Sequence, residues 1–150
     1  MLRLSKKADY ALMAMKHLAL RGDRGSSSAR EIAEQYNIPI ELMAKVLQRL
    51  VRRGLLASHQ GTHGGYQLAR APRQISVGDV IQAIDGPVTV TACSTDDERC
   101  GQFAKCNVRD PLWRVRERIL TALGECTIAE LAADPPTSAP VRAEVLHTNL

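Results

Sequence analysis

The sequence predicts a mainly α-helical chain with one small β-hairpin, on the evidence of two features. Apolar residues recur at helical spacing over three successive segments that begin near residues 5, 28 and 40. Residues 55–70 then alternate between apolar and polar and contain a glycine-rich turn at 61–65, which is typical of a hairpin. Three helices followed by a hairpin predict a winged helix-turn-helix.

The first two helices carry recognisable end signals. Ser5 can serve as the N-cap of a helix that continues to about residue 20, before Gly22. Ser28 is followed three residues later by Glu31, the spacing of a capping box. A second helix is therefore expected from Ser28 to about Tyr36.

The third helix is expected from Ile40 to Arg53, after a turn that Asn37 and Pro39 favour. In a helix-turn-helix, the amino-terminal part of this helix enters the major groove of duplex DNA. An ordinary three-helix bundle is the alternative. Residues expected to reach DNA are Ser28 before the second helix, and Ile40, Glu41, Met43, Lys45 and Arg49 on the third. The buried stripe is expected to be Leu42, Val46, Leu47 and Leu50.

The hairpin follows directly and is expected to act as a wing. Its glycines would permit close approach to a phosphate backbone. Two histidines in a strand and a turn could instead bind a metal, although no cysteine lies near them. The wing residues expected to contact DNA are His59, Gln60, His63 and Tyr66.

The charge distribution agrees with a DNA-binding first half. Residues 1–75 hold 13 Lys and Arg against 5 Asp and Glu, whereas residues 76–150 hold 7 against 11. A basic half joined to an acidic half indicates that the first half meets a polyanion, although a solvated basic surface would have the same charge. A double-stranded DNA operator is the expected partner.

Composition narrows the class of protein further. A chain of 150 residues is one domain, or one small domain with an extension. There is no apolar stretch of about 18 residues and no signal-peptide pattern, so we expect no membrane contact. Four cysteines in such a chain favour the reducing cytoplasm. No nucleophile–base set or phosphate-binding loop is visible, so we do not expect an enzyme.

Three of the cysteines, Cys93, Cys100 and Cys106, lie close together with the spacing C-x6-C-x5-C. Thiolates are soft ligands that prefer zinc, copper(I) or the iron of an iron–sulfur cluster. The spacing does not resemble paired C-x2-C zinc knuckles, and three ligands are one short of the usual four. We interpret this loop as the holder of a labile iron–sulfur cluster, [2Fe-2S] or [4Fe-4S]. Zinc, a redox disulfide or idle thiols are the alternatives.

The remaining segments are predicted to be helical. A short helix is expected from Val77 to about Ile84, and a longer one from a cap at Asp110-Pro111 to about Gly124. The apolar stripe of the long helix suits packing on another subunit, or alternatively on the protomer's own core. Cys126 is expected to be a small core residue. A final short helix precedes residues 134–150, which we expect to be a flexible tail.

Several of these motifs together resemble the Rrf-two family of bacterial regulators, which includes IscR, NsrR and the SUF-system regulator. They are residues 3–10, the turn at Ile38-Pro39, the Gly-x-x-Gly-Gly-Tyr-x-Leu-Ala-Arg pattern of residues 61–70, and the cysteine loop. The resemblance covers residues 1–133 and is greatest to the SUF-system regulator. It implies a homodimer in which 1–75 bind DNA and 76–133 hold the cluster and the dimerisation helices.

The resemblance also implies a fourth ligand. Some members use a histidine three residues after the last cysteine, but that position here is Arg109, which cannot bind iron. Others use an aspartate near the amino terminus of the opposite subunit, and Asp9 matches it. The alternative for Asp9 is a carboxylate that complements the dipole of the first helix. One departure is that the wing begins Gln60-Gly61-Thr62, where members often have Arg-Gly-Pro.

The function expected from the sequence is therefore a repressor whose affinity for its operator is switched by an iron–sulfur cluster. The cluster would sense redox state, nitric oxide or iron–sulfur status. A zinc-dependent or thiol-redox-dependent winged-helix regulator is the alternative.

Overall fold

The first three helices form the helix-turn-helix in the computed structural model, which describes residues 3–90 and 100–133. Helix α1 runs over Lys6–Arg21, α2 over Ala29–Gln35 and α3 over Ile40–Arg52. The predicted end signals are present. The hydroxyl of Ser5 accepts from the backbone N–H of Ala8, and Ser28 forms a complete capping box with Glu31. Asn37 has a φ of 52°, which gives the sharp turn between α2 and α3.

The hairpin is a two-stranded antiparallel sheet of β1, Leu56–His59, and β2, Gly65–Leu68. Leu56 faces Leu68 and His59 faces Gly65 in its register. The other edge of β2 pairs with the segment before α2, because the backbone N–H of Tyr66 donates to the carbonyl of Ser27 over 2.8 Å and Ser27 donates back over 3.1 Å. The wing is therefore fixed to the helix-turn-helix by main-chain hydrogen bonds.

Three further helices follow the wing. Helix α4 runs over Val77–Asp85, α5 over Arg109–Glu125 and α6 over Ile128–Ala133. Helices α4 and α6 both pack on α1, and α5 packs on α4. The expected cap at Asp110-Pro111 is wrong by two residues: α5 begins at Arg109 after Val108, which makes no side-chain cap, and Asp110 lies within the first turn. Asp110 still places a negative charge near the helix amino terminus, where the helix dipole favours it.

The hydrophobic core is continuous from the helix-turn-helix to the last helices. Its fully buried side chains include Met15, Ile32, Leu47 and Leu50, and it extends to Ile128 of α6. The core therefore crosses residue 75, and the division of the chain there stays a prediction. The predicted tail, residues 134–150, lies outside the described residues.

Helix α5 contrasts with this core, because none of its 17 residues is buried. Leu112 and Val115 are 37% and 43% exposed. Within residues 3–90 and 100–133, no helix has the length and apolar content needed to cross a membrane.

Candidate nucleic-acid interface and cysteine segment

Helix α3 presents most of the predicted DNA-contacting side chains on the protein surface. Ile40, Glu41, Lys45 and Arg49 are exposed. Met43 is not: its side chain is 0% exposed in the core. The prediction that Met43 contacts DNA is therefore wrong, because the packing of α3 on the core turns this position inward with Val46, Leu47 and Leu50 and leaves Leu42 only half-buried.

Arg49 also has a structural contact. Its Nε donates a hydrogen bond to the backbone carbonyl of Ala83, over 2.9 Å. Ala83 lies in the last turn of α4, so this bond joins the recognition helix to the helix that leads toward the cysteines.

A groove of about 600 Å³ separates α3 from the wing. It brings together residues from the start of α2, the carboxyl-terminal half of α3 and both strands. Four of the predicted DNA-contacting residues line it, namely Ser28, His59, Gln60 and Tyr66, together with Gln48 and Arg52 of α3. His63 lies outside this groove and lines a separate one with Arg21 and Arg24.

The wing histidines make contacts within the protein. His59 Nε2 lies 3.1 Å from Oε1 of Gln67, and the carbonyl of His63 accepts a hydrogen bond from the Ser26 hydroxyl over 2.7 Å. In the part of the chain that the structure describes, no three His, Cys, Asp or Glu residues are grouped as a metal site. These contacts leave both histidine side chains exposed at the protein surface.

Two of the wing glycines are required by contacts inside the protein. A Cβ at Gly65, whose φ is 150°, would lie 2.6 Å from the backbone of Ser27, and a Cβ at Gly64 would lie 2.7 Å from the carbonyl oxygen of His59. By contrast, Gly61 has a φ of 107° and open space around it. Gly64 and Gly65 therefore allow the wing to fold onto the helix-turn-helix, and the expectation that the wing glycines permit close approach to phosphate stays a prediction.

A part-buried polar network of His17, Ser27 and Tyr36, which no sequence pattern indicated, supports the junction of the wing with the helix-turn-helix. Nδ1 of His17 lies 3.0 Å from the hydroxyl of Tyr36, and Nε2 lies 3.4 Å from the hydroxyl of Ser27. Ser27 is fully buried, so its hydroxyl needs a partner inside the protein. The network joins α1, the end of α2 and the segment that pairs with β2. No local pattern points to this network, because His17 lies in α1 and Tyr36 follows α2.

Burial changes the acidity of both aromatic groups in this network. It lowers the pKa of His17, and the positive charge of Arg21 lowers it further, while Glu31 acts in the opposite direction. Burial raises the pKa of Tyr36. Burial therefore favours the neutral form of His17, in which one ring nitrogen donates and the other accepts.

The described part of the cysteine segment lies just before α5. Cys100 is exposed, Cys106 is half-buried, and neither forms a disulfide. Cys93 lies outside the described residues. The backbone N–H of Phe103 donates to the carbonyl of Cys100 over 2.9 Å, and one turn of 3₁₀ helix over Phe103–Lys105 precedes Cys106.

Arg109 fastens this segment to α5. Its Nη1 donates to the carbonyl of Phe103 over 2.9 Å, and its guanidinium lies 4.4 Å from the centre of the Phe103 ring and 5.6 Å from that of Trp113. Its Nε also bonds to the carboxylate of Asp110, which lowers the pKa of Asp110. The residue at the position of the histidine ligand in some relatives is thus a structural clamp.

The donor atoms in this segment suit an iron–sulfur cluster. The two described thiols are not disulfide-bonded, and they lie at a surface segment that Arg109 holds in place. Soft thiolate ligands of this kind are those that iron–sulfur clusters take. Asp9, the expected fourth ligand, is half-buried in the first turn of α1. Cys126 is half-buried after α5, and its carbonyl accepts from Val77 over 2.8 Å.

Comparison with known proteins gives a consistent result. Residues 4–134 match the Rrf2 family, described as an iron-dependent transcriptional regulator. The chain is 35% identical over 134 residues to the HTH-type transcriptional regulator slr0846 of Synechocystis, covering 89% of each chain. It is 37% identical over 131 residues to IscR of Erwinia tasmaniensis, covering 87% of this chain and 78% of that one.

Solved structures agree. CymR, the global cysteine regulator of B. subtilis, superposes with a TM-score of 0.72 at 30% identity, covering 88% of this chain and 97% of that one. IscR of T. potens gives a TM-score of 0.68 at 30% identity, over 87% and 85%. These relatives are transcriptional regulators, which confirms the expectation that the chain is not an enzyme. With the helix-turn-helix and wing in place, the chain belongs to the Rrf2, or Rrf-two, family of winged-helix transcriptional regulators.

Proposed function

We propose that this protein is a homodimeric repressor whose affinity for operator DNA depends on an iron–sulfur cluster held by Cys93, Cys100 and Cys106. One observation carries the proposal. The segment with Cys100 and Cys106 leads directly into α5, the helix with no buried residue, while α4 before it is hydrogen-bonded to α3. A change at the thiols is therefore well placed to alter both the dimer and the DNA-binding surface.

The DNA-reading part of the proposal rests on α3 and the wing. Exposed Ile40, Glu41 and Lys45 lie at the amino-terminal half of α3, the part that a helix-turn-helix inserts into the major groove. Glu41 suits a cytosine amino group, and Lys45 suits guanine or a phosphate. On the other side of the helix, Ser28, His59, Gln60 and Tyr66 surround the groove beside the wing and suit contacts with the adjacent backbone and minor groove.

The cluster would be held by the three thiolates, with Asp9 of the opposite subunit as the fourth ligand. When bound, the cluster would supply redox and nitric oxide reactivity that side chains alone do not have. A carboxylate is a hard ligand beside three soft ones, so Asp9 would be the most easily displaced. The description of the family as iron-dependent supports an iron-containing group at the cysteines.

The dimer part of the proposal rests on α5. A helix with an apolar stripe that remains exposed in the protomer favours a partner surface. We propose that this partner is α5 of a second copy of the chain. This agrees with the homodimer that the family resemblance implies. We propose that a transcriptional regulator of this kind acts in the cytoplasm.

The coupling between cluster and DNA would pass through the last turn of α4. Both oxygens of Asp85 accept from Ser5, one from its backbone N–H at 3.2 Å and one from its hydroxyl at 2.5 Å, which ties α4 to the start of α1. Arg49 ties the same turn to α3. A coupling free energy of about 1–3 kcal/mol would change operator affinity roughly 5–150-fold.

The test begins with protein purified without air. It should be brown and contain iron and sulfide, and Cys106→Ser should lose both. A colourless protein with one zinc per chain would instead support the zinc-dependent regulator, and a reducible disulfide between two of the cysteines would support the thiol-redox regulator. Operator fragments selected from genomic DNA should bind the loaded and the cluster-free protein with different affinities. Equal affinities would contradict the sensor function.

The role of Asp9 needs a separate variant. Asp9→Ala should change the visible spectrum and shorten the lifetime of the cluster in air. Asp23→Ala is a matched control, because Asp23 is an exposed carboxylate after α1. An unchanged spectrum in Asp9→Ala would remove Asp9 from the ligand set but leave the three cysteines in place.

A further inference from the structure

A second groove flanks α3 next to the start of α1, and it shares only Arg52 with the groove beside the wing. It has a volume of about 1020 Å³ and is formed by the start of α1, the outer side of α3 and the end of α4. We call it the α1–α3 groove. Six cationic side chains line it: Lys6, Lys7, Lys45, Arg49, Arg52 and Arg53.

The α1–α3 groove holds one acidic residue against six cations. Asp85 is the acidic residue among its lining residues, and both of its oxygens accept hydrogen bonds from Ser5. Within residues 3–90 and 100–133, the ion pairs between side chains do not involve the six cations. The groove is therefore a concentrated positive surface, suited to a ligand with several negative charges.

Two of these cations lie where helix physics disfavours them. Lys6 and Lys7 are the first two residues of α1, at the positive end of the helix dipole. Lys6 is placed over the ring of Tyr10, 5.7 Å from its centre, but Lys7 is simply exposed. Placing two cations at a helix amino terminus goes against local stability, and such departures are expected at functional sites.

The expected ligand of the α1–α3 groove follows from the geometry of a helix in the major groove of DNA. The major groove is about 12 Å wide and a helix with its side chains is about 10–12 Å across, so a phosphate strand runs along each side of the helix. Lys45, Arg49 and Arg53 follow one another at intervals of four residues and therefore lie along one side of α3. That side is the one that faces α1, and Arg52 lines both grooves.

We propose that the α1–α3 groove binds the phosphodiester backbone of the DNA strand on the side of α3 next to the start of α1, with Lys6 and Lys7 as its outer contacts. This inference rests on the proposed DNA-binding function and adds a second phosphate-binding surface to it. The recognition helix would then be held between two strands, one contacted from the wing and one from the start of α1.

Phosphate contacts do not depend on base sequence, so the test needs no operator. The full chain is titrated with a fluorescent 30-bp duplex of mixed sequence between about 50 and 200 mM salt, the range over which phosphate contacts dominate the change in affinity. Lys6→Gln with Lys7→Gln should lower the salt slope of log K by about 1.8 per protomer, because each phosphate contact contributes about 0.9. Affinity at low salt should fall roughly tenfold or more.

The matched control removes the same charge elsewhere. Arg70→Gln with Arg73→Gln also loses two exposed cations, but neither residue lines the α1–α3 groove or the groove beside the wing, and neither lies on α5. Its salt slope should stay close to that of the wild type. Equal slopes in the two double variants would overturn the proposal, since only net charge would then matter. Lys7→Gln alone repeats the test without disturbing the contact between Lys6 and Tyr10.

The melting temperature distinguishes a loss of DNA binding from a loss of folding. Both Lys→Gln changes remove a cation from a positive helix terminus, so the double variant should melt no lower than the wild type. A lower melting temperature would mean that the lysines are structural and would overturn the proposal. A wild type that binds no duplex at all would instead remove the DNA-binding function itself, which distinguishes the two failures.

A last experiment distinguishes a site for the DNA backbone from a site for a small phosphate-containing anion. Sodium pyrophosphate is titrated calorimetrically into the wild type at constant ionic strength. Stoichiometric binding that Lys6→Gln with Lys7→Gln abolishes, together with an unchanged salt slope for DNA, would overturn the proposal in favour of a small-anion site.

Discussion

Helices α3 and α5 show how differently two amphipathic helices of one chain are used. Helix α3 has 13 residues and buries four of them, Met43, Val46, Leu47 and Leu50, against its own protomer. Helix α5 has 17 residues and buries none, and its Leu112 and Val115 remain more than a third exposed.

The apolar side of α3 is buried within its own protomer, whereas the apolar side of α5 is not. The head, formed by α1 to α3 and the wing, gains its stability within one chain. The apolar side of α5 gains little until another surface covers it, because burial of apolar area is the main stabilising contribution. Four experiments test this contrast, from the largest expected effect to the smallest.

Truncating a core side chain of α3 should have the largest effect. Met43→Ala removes a fully buried side chain and should lower the free energy of unfolding by about 3 kcal/mol, including the cost of the cavity left behind. Urea denaturation followed by circular dichroism measures it. A smaller truncation on α5, Val115→Ala at a 43% exposed position, should cost about 0.5 kcal/mol or less at concentrations where the chain is monomeric. Equal losses would contradict the contrast.

Placing a charge on the exposed side of α5 tests what covers it. Val115→Glu should weaken the proposed dimer roughly 100-fold, about 2.7 kcal/mol, because a carboxylate would be buried without a partner. Sedimentation over a range of concentrations measures this constant, and the folding of the head should be unchanged. Thr121→Glu, on another side of the same helix, is the control. A dimer equally stable in both variants would exclude this side of α5 as the interface.

The junction of wing and helix-turn-helix depends on a glycine. Gly65→Ala should lower the free energy of unfolding by about 2 kcal/mol, since its Cβ would lie 2.6 Å from the backbone of Ser27 at a φ of 150°. Thermal unfolding measures it. Gly101→Ala has open space around the position and is the comparison. If both alanines are tolerated equally, the close approach of β2 to Ser27 is not required.

The smallest effect is expected from pH. Because the pKa of His17 is lowered from 6.5, the unfolded chain takes up this proton more readily than the folded one. The stabilising contribution of neutral His17 to the free energy of unfolding is fully present above pH 6.5. It is lost as the pH falls from there through the lower pKa of His17 in the folded protein. His17→Gln should make the free energy of unfolding less dependent on pH in that range. Tyr36→Phe should keep the dependence, because burial is the largest cause of the shift.

A His17→Gln variant with the same pH dependence as the wild type would mean that another group titrates in this range. The measurement is repeated urea denaturation at closely spaced pH values, at constant ionic strength.

Local signals predicted the elements of the head well. The capping box at Ser28, the N-cap at Ser5 and the left-handed turn at Asn37 each depend on a few neighbouring residues, and all three are present. The hairpin was predicted for the same reason. Where a helix end has no capping side chain, as before Arg109, the predicted start was wrong.

Contacts between distant residues were not predictable in this way. Periodicity narrowed the inward side of α3 but did not decide between Leu42 and Met43, since neighbouring positions on a helix differ by about 100° and either could complete the stripe. The network of His17, Ser27 and Tyr36 and the clamp of Arg109 on Phe103 depend on how separate segments meet.

The sequence by itself determined which segments form helices, where the hairpin lies, and that three thiolates are available to bind a soft metal, because these properties depend on short-range spacing and on side-chain chemistry. Only the tertiary structure decided that Met43 is buried, that Gly65 fits the wing against Ser27, and that six cations line one groove. Those facts depend on how helices pack, and packing is set by the whole core rather than by any one segment.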